Sequence, residues 1–255
     1  MVGANRDTLA AIAGVFFLLP GLIGAVMVPT PALTPTMDQA AMADAVMRFY
    51  TSAGPILIVL SLPMLAGYLT LLAMLLDRDR PTVGAAIATG IRFLPSYLAA
   101  QMLTSLVLSV LWVTLLTALG VILPQILAVP VSLALMVYPL IRVLLIGPEM
   151  VTQRLLNPIR AIMAGVARTR GHGVRIMLYV GPAVTLFFVL YSLVMMIIGL
   201  ATAPVAGAET RRLIGEAIGT VLFAAGYTYY AAIIASTYQQ LGPVHGDLIS
   251  PSSPG

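Results

Sequence analysis

Six separate stretches of this chain are each long enough to cross a bilayer, and that excludes most folds at once. A helix rises ~1.5 Å per residue, so roughly 20 apolar residues in a row are needed to cross about 30 Å of hydrocarbon. Runs of that kind occupy residues 8–28, 54–76, 94–119, 126–147, 175–200 and 213–238. In lipid each backbone N–H and C=O has to be satisfied within its own segment, which makes such runs helices. Of the 255 residues, 60% are hydrophobic and 9% charged, against about 25% charged in soluble domains. With mean hydropathy +1.03, a water-soluble core has no place for so much apolar surface. The expectation is an all-α polytopic membrane protein. One six-span domain covers residues 1–241, a disordered tail covers residues 242–255, and no room is left for a separate soluble domain. The first run is too long for a signal-peptide core and has no A-x-A site near Val28, so it is read as a span.

All thirteen basic residues are arginine, and their placement sets an orientation. Arg6, Arg78, Arg80, Arg92, Arg154, Arg160, Arg168, Arg170 and Arg175 fall on one side of the six-span arrangement, against Arg48, Arg211 and Arg212 on the other. The positive-inside bias puts both termini in the cytoplasm of a multi-pass membrane protein. The net charge of +4 is then an orientation signal, and no nucleic-acid partner is expected. The absence of cysteine excludes disulfides, thiolate metal sites and a cysteine nucleophile. His172 and His245 stand alone, no H-E-x-x-H, G-x-S-x-G or Walker A pattern occurs, and no carboxylates cluster. The chain is read as non-enzymatic, without cofactor or metal, and His172 between Gly171 and Gly173 as a turn residue.

Pro20-Gly21 in the first run and Pro63 with Gly67 in the second predict bent spans, because each proline frees a carbonyl. These bends read as kinked packing, with a hinge or ligand site as the functional alternative. The long outer loop carries three prolines and then Thr36 and Gln39 at capping-box spacing. Met42, Ala45, Val46 and Phe49 follow at i, i+3, i+4, i+7, which predicts a short amphipathic helix on the outer surface.

A similar pattern occurs twice on the opposite side. After the second run, TVGAAIATGIRF places Val83, Ala86, Ile87 and Gly90 on one face. After the fourth, a shift of 75 positions aligns Thr82 with Asn157 as caps, Ile87 with Ile162, Gly90 with Gly165 and Ile91 with Val166. In the second copy Ile159, Ile162, Met163 and Val166 form an apolar stripe opposite Arg160, Ala164, Ala167 and Arg168. The expectation is a parallel repeat of interfacial helix plus transmembrane hairpin, giving six transmembrane helices with two cytoplasmic interfacial amphipathic helices.

Arg142 is the one charge well inside a run, about 8 Å from its cytoplasmic end at ~1.5 Å per residue. It is read as snorkelling to the headgroups, as pairing with Glu149, or as clamping an anionic ligand. Arg142, Glu149, Arg160, Arg168, Arg170, Arg78 and Arg80 are therefore the lipid or ligand candidates. Membrane lipids are the expected partners, beside a possible membrane-protein partner. Near the outer end of the sixth run Glu216 lies in Gly215-x-x-x-Gly219, a spacing for close helix contact, and Thr220, Ala224, Tyr227 and Ala231 continue that seam. Gln101, Ser105 and Ser109 recur at four-residue spacing in the third run. The two polar seams read as interhelical hydrogen bonding, or as the lining of a pathway in a transporter or permease subunit for a small amphipathic solute.

Arg142, Pro148-Glu149, Asn157-Pro158, Ala161-Ile162, Arg168-Thr169 and Gly171 together resemble the elbow of the bacterial six-span glycerophosphoryl diester phosphodiesterase membrane-domain family. That pattern has an arginine in a span, proline and glutamate at the elbow, and an A-L-x-R-S-x-x-L-T-x-G interfacial helix. Here Met163-Ala164-Gly165 replaces the arginine-serine part, and the glutamate follows the proline immediately. The family is named for members with a soluble catalytic domain whose histidines and acidic metal ligands this chain lacks. The resemblance therefore implies the membrane module alone.

Overall fold

The computed structural model describes residues 6–28, 34, 37–77, 81–204 and 207–241. Among the described residues there is no strand, and six helical stretches are long and apolar enough to cross a membrane. The chain is an all-α, multi-pass membrane protein. Span one comprises α1 (Arg6–Ala13), a π-helical turn (Gly14–Leu18) and α2 (Leu19–Met27). The wide turn lies just ahead of Pro20, which has no N–H and whose ring crowds the carbonyl four residues back. Leu19 donates instead to the Gly14 carbonyl, five residues back. The bend expected at Pro20-Gly21 thus takes the form of an inserted residue.

Span two is α3 (Gln39–Leu76) and span three is α4 (Val83–Ile122). Span four is α5 (Gln125–Val143) continued, after a two-residue break, by α6 (Ile146–Thr152). The elbow helix α7 (Pro158–Arg168) follows, then span five, α8 (Gly173–Thr202), and span six, α9 (Ala208–Gln240). The inner half of α3 is the centre of the bundle. Leu69, Leu71 and Leu72 have no exposure, and α3 touches span one, α4, α6 and α9. Around it Tyr68, Tyr97, Tyr227 and Tyr230 form an aromatic cluster with centroids 5.9 to 6.3 Å apart.

The structure corrects two element boundaries. No separate outer helix precedes span two: its amphipathic turns are the first turns of α3. Ala45, Val46 and Phe49 are half-buried, as a packing stripe requires, while Met42 is exposed. Thr36 lies outside the described residues, and the cap is Asp38, whose carboxylate accepts from Ala41 N–H at 2.7 Å. The helix runs on through Gly54-Pro55 because propagating an existing helix is far easier than nucleating a new one. Thr51 and Ser52 hydroxyls also donate to the Met47 and Arg48 carbonyls there. Likewise the first interfacial helix is continuous with α4, through Pro95. Only the second stands apart, since Gly171 at φ 75° turns the chain between Arg168 and Gly173. His172 lies in that turn, its N–H on the Thr169 carbonyl at 3.2 Å.

The 75-residue correspondence survives in space. Thr82 and Asn157 both cap, accepting from Ala85 at 3.3 Å and from Ile159 and Arg160 at 3.0 and 3.2 Å. Ala86 and Ala161 are both fully buried. A Cβ on Gly90 would lie 2.7 Å from the Ala66 carbonyl, and one on Gly165 3.0 Å from the Ile146 nitrogen. In each copy glycine lets the elbow backbone lie directly on the preceding span. The copies differ where Phe93, buried against α3, is matched by Arg168.

Candidate functional site

The most polar buried cluster among the described residues lies where α5, α6, α7 and α9 meet. α6 is pressed against span two, since a Cβ on Gly147 would be 3.0 Å from the Tyr68 ring and 3.1 Å from Leu72. Every residue from Ile146 to Val151 is buried in consequence, and Glu149 is carried inside at 1% exposure. A carboxylate taken out of water needs a cation and hydrogen bonds. Arg168, from the last turn of α7, brings Nη1 to 3.3 Å from Glu149 Oε1, its own side chain 9% exposed. Gln153, one turn along from Glu149, donates to the other carboxylate oxygen. The Tyr238 ring of α9 lies under the Arg168 guanidinium at 4.1 Å. Span six is thereby tied to the elbow.

Arg142 does not pair with Glu149. Its helix stops at Val143 and α6 restarts at Ile146, so the two residues no longer share a face. Arg142 reaches α7 instead, donating to the Val166 carbonyl at 3.3 Å and to Thr169 Oγ1 at 3.4 Å, while Tyr138 one turn away accepts at 2.6 and 3.1 Å. Val166 O, one of the last carbonyls of α7, also accepts from the Thr169 hydroxyl at 2.9 Å, and the negative end of a helix dipole favours a cation. Arg142 is the C-terminal cap of α7.

The face of α7 also differs from expectation. Ala161, Gly165 and Thr169 point inward together with Arg168, Ile162 and Val166 are half-buried, and Ile159 and Met163 point outward at 58% and 66% exposure. Gly165 against Ile146 and Arg168 against Glu149 set this rotation, and they override the apolar stripe read from the sequence. Of the candidate arginines, Arg160 and Arg170 are exposed, Arg168 is taken by Glu149, and Arg78 and Arg80 lie outside the described residues.

The two polar seams do not converge. On α4, Gln101 donates to Tyr97 Oη at 2.6 Å, but Ser105 and Ser109 are exposed on the outside of the bundle. On α9, Glu216 pairs with Arg212 at 2.9 Å, and Arg212 donates to the Ala25 carbonyl of α2 at 3.2 Å, joining span six to span one. The Thr220 hydroxyl donates to the Glu216 carbonyl, and its methyl stands where a Cβ on Gly21 would go. Gln153 and Tyr138 could have been found as i+4 and i−4 neighbours of charged residues. Tyr238, seventy positions after Arg168, leaves no local signal. No family model matches this chain, and neither a curated protein nor a solved structure matches it.

Proposed function

We propose that this chain is a non-enzymatic integral protein of a bacterial inner membrane that holds anionic lipid headgroups at its elbow side, with that side and both termini in the cytoplasm. The observation that carries the reading is the outward face of α7, where Ile159 and Met163 stand exposed one turn apart beside the exposed Arg160. An apolar pair seated among acyl chains places that arginine at the depth of the phosphates, where its planar fork matches their oxygens. Arg92, Arg154, Arg170 and Arg175 are exposed on the same side, which supports the orientation through the positive-inside bias. A membrane-protein partner at this face fits the same chemistry. The proposal includes kinship with the glycerophosphoryl diester phosphodiesterase membrane domain, whose proline-glutamate elbow and capped interfacial helix have the same order. A solute pathway gains no support, because Ser105 and Ser109 face out of the bundle.

Native mass spectrometry of the purified chain, offered equal phosphatidylglycerol and phosphatidylethanolamine, tests the proposal. The wild type retains phosphatidylglycerol preferentially, and an Arg160→Gln/Arg170→Gln variant retains several-fold less of it. Equal retention of both lipids by the wild type, or no change in the variant, sinks the proposal.

A further inference from the structure

A cavity of about 520 Å³ opens on the elbow side between the end of α3, the first turns of α4 and the exit of α6. Its polar lining comes from Asp77, Thr89, Arg92, Thr152 and Arg154. By contrast, the cavity between α8 and α9 is walled mainly by Phe187, Phe188, Phe223 and other apolar side chains. Neither Arg92 nor Arg154 has an ion-pair partner among the described residues.

Arg154 is the one non-glycine among the described residues with a positive φ, 54°. It follows the last residue of α6 and its cap, where the Leu155 N–H returns to the Met150 carbonyl at 3.0 Å. That position belongs by default to glycine, since a side chain in the left-handed region crowds its own backbone. The segment is also held from the far side, the Ser96 hydroxyl donating to the Leu156 carbonyl at 2.6 Å. An arginine is thus kept against local preference, on backbone fixed at both ends, at the rim of a polar cavity that a second arginine faces. Strain of this kind collects where a side chain has work beyond packing.

We propose that Arg92 and Arg154 clamp a phosphate ester in this cavity, the phosphodiester of an anionic phospholipid headgroup. A single phosphodiester carries one negative charge, opposite in sign to the two arginines. Two guanidinium forks, one from α4 and one from the turn after α6, supply directional donors to its two free oxygens. The proposal takes its ligand class from the lipid reading above and turns surface attraction into a defined site.

The test titrates the full chain, in neutral detergent, with dihexanoyl phosphatidylglycerol and separately with inorganic phosphate, following heat. Arg154→Gly and Arg92→Gln should each weaken phosphatidylglycerol binding about tenfold. Arg154→Gly should melt no lower than the wild type, because glycine is at ease at that φ, and Arg154→Lys should bind between the two. Inorganic phosphate binding as tightly as the lipid, with the same losses, would keep the site and make free phosphate its source. Unchanged lipid binding in both variants overturns the proposal. So does an Arg154→Gly protein that melts well below the wild type, since the arginine would then serve the fold. Adding Arg154→Gly to the Arg160→Gln/Arg170→Gln variant should still weaken this titration about tenfold, so loss of the α7 lipid face and loss of the clamp are separately visible.

Discussion

Removing a carboxylate and a guanidinium from water costs several kcal/mol for each ion, and their attraction repays this only when every remaining donor and acceptor is met. Glu149 and Arg168 fall short of that: Gln153 serves one carboxylate oxygen and the Tyr238 ring lies under the guanidinium, but Glu149 Oε1 and Arg168 Nε are both buried without a hydrogen-bond partner. The pair is therefore costly to break and cheap to replace. Glu149→Met alone strands a buried cation and should destabilise by about 3 kcal/mol or more. Adding Arg168→Phe should restore most of it, because Met74 and Phe93 occupy the equivalent places in the first copy, Phe93 within the core and Met74 packed against it. Thermal unfolding in detergent of the two singles and the double decides. A double variant no better than the singles would show that the pair is needed for its charge. At the outer end the contrast is plain: Glu216 and Arg212 keep 30% and 36% of their side chains exposed. Glu216→Gln should cost under about 1 kcal/mol, and a larger loss on the same assay would give that carboxylate a role beyond joining spans one and six.

At the scale of elements, each elbow depends on one glycine. A Cβ on Gly90 would come within 2.7 Å of the Ala66 carbonyl and would also strike Thr70, so backbone has to shift. Overpacking of that kind costs about 1–3 kcal/mol, and the better helix propensity of alanine returns about 1. Gly90→Ala should therefore be a net loss of up to about 2 kcal/mol. Gly165→Ala, with its nearest backbone atom at 3.0 Å, should lose less. The order of the two melting temperatures is the check, and a reversed order would contradict the packing described. Gly171, at φ 75°, differs in kind: space around it is open, so Gly171→Ala should cost only the left-handed penalty of about 1 kcal/mol.

For the whole molecule, α3 and α4 run 38 and 40 residues, about 57–60 Å at 1.5 Å per residue. That is nearly twice the hydrocarbon thickness, so both tilt or project beyond it. Their outer ends are largely exposed, and most of the buried residues of both helices lie toward the elbow side. With no native cysteine, orientation is testable by single thiols. On the proposed topology Cys in place of Ala40 reacts with an impermeant label in intact cells and Cys in place of Ser250 does not. The inverse pattern would reverse the orientation and move every exposed elbow arginine away from the cytoplasmic leaflet.

The number of spans, the caps at Thr82 and Asn157 and the 75-residue correspondence were all legible in the chain, because they depend on local quantities: run length, a side-chain oxygen before a helix, and a recurring small residue. The continuity of α3 and α4 was less legible, since the apolar runs begin only at residues 54 and 94, well after the helices themselves start. The partners of the charges were not legible at all. Arg142 has Glu149 seven residues away and yet caps α7, and Glu149 finds its cation nineteen positions on, with a tyrosine from span six beneath it. Those choices follow from how Gly147 and Gly165 let three helices close on one another. In lipid, where apolar surface meets hydrocarbon on every side, tertiary contact alone decides which polar groups are shut away together and which are left facing the headgroups.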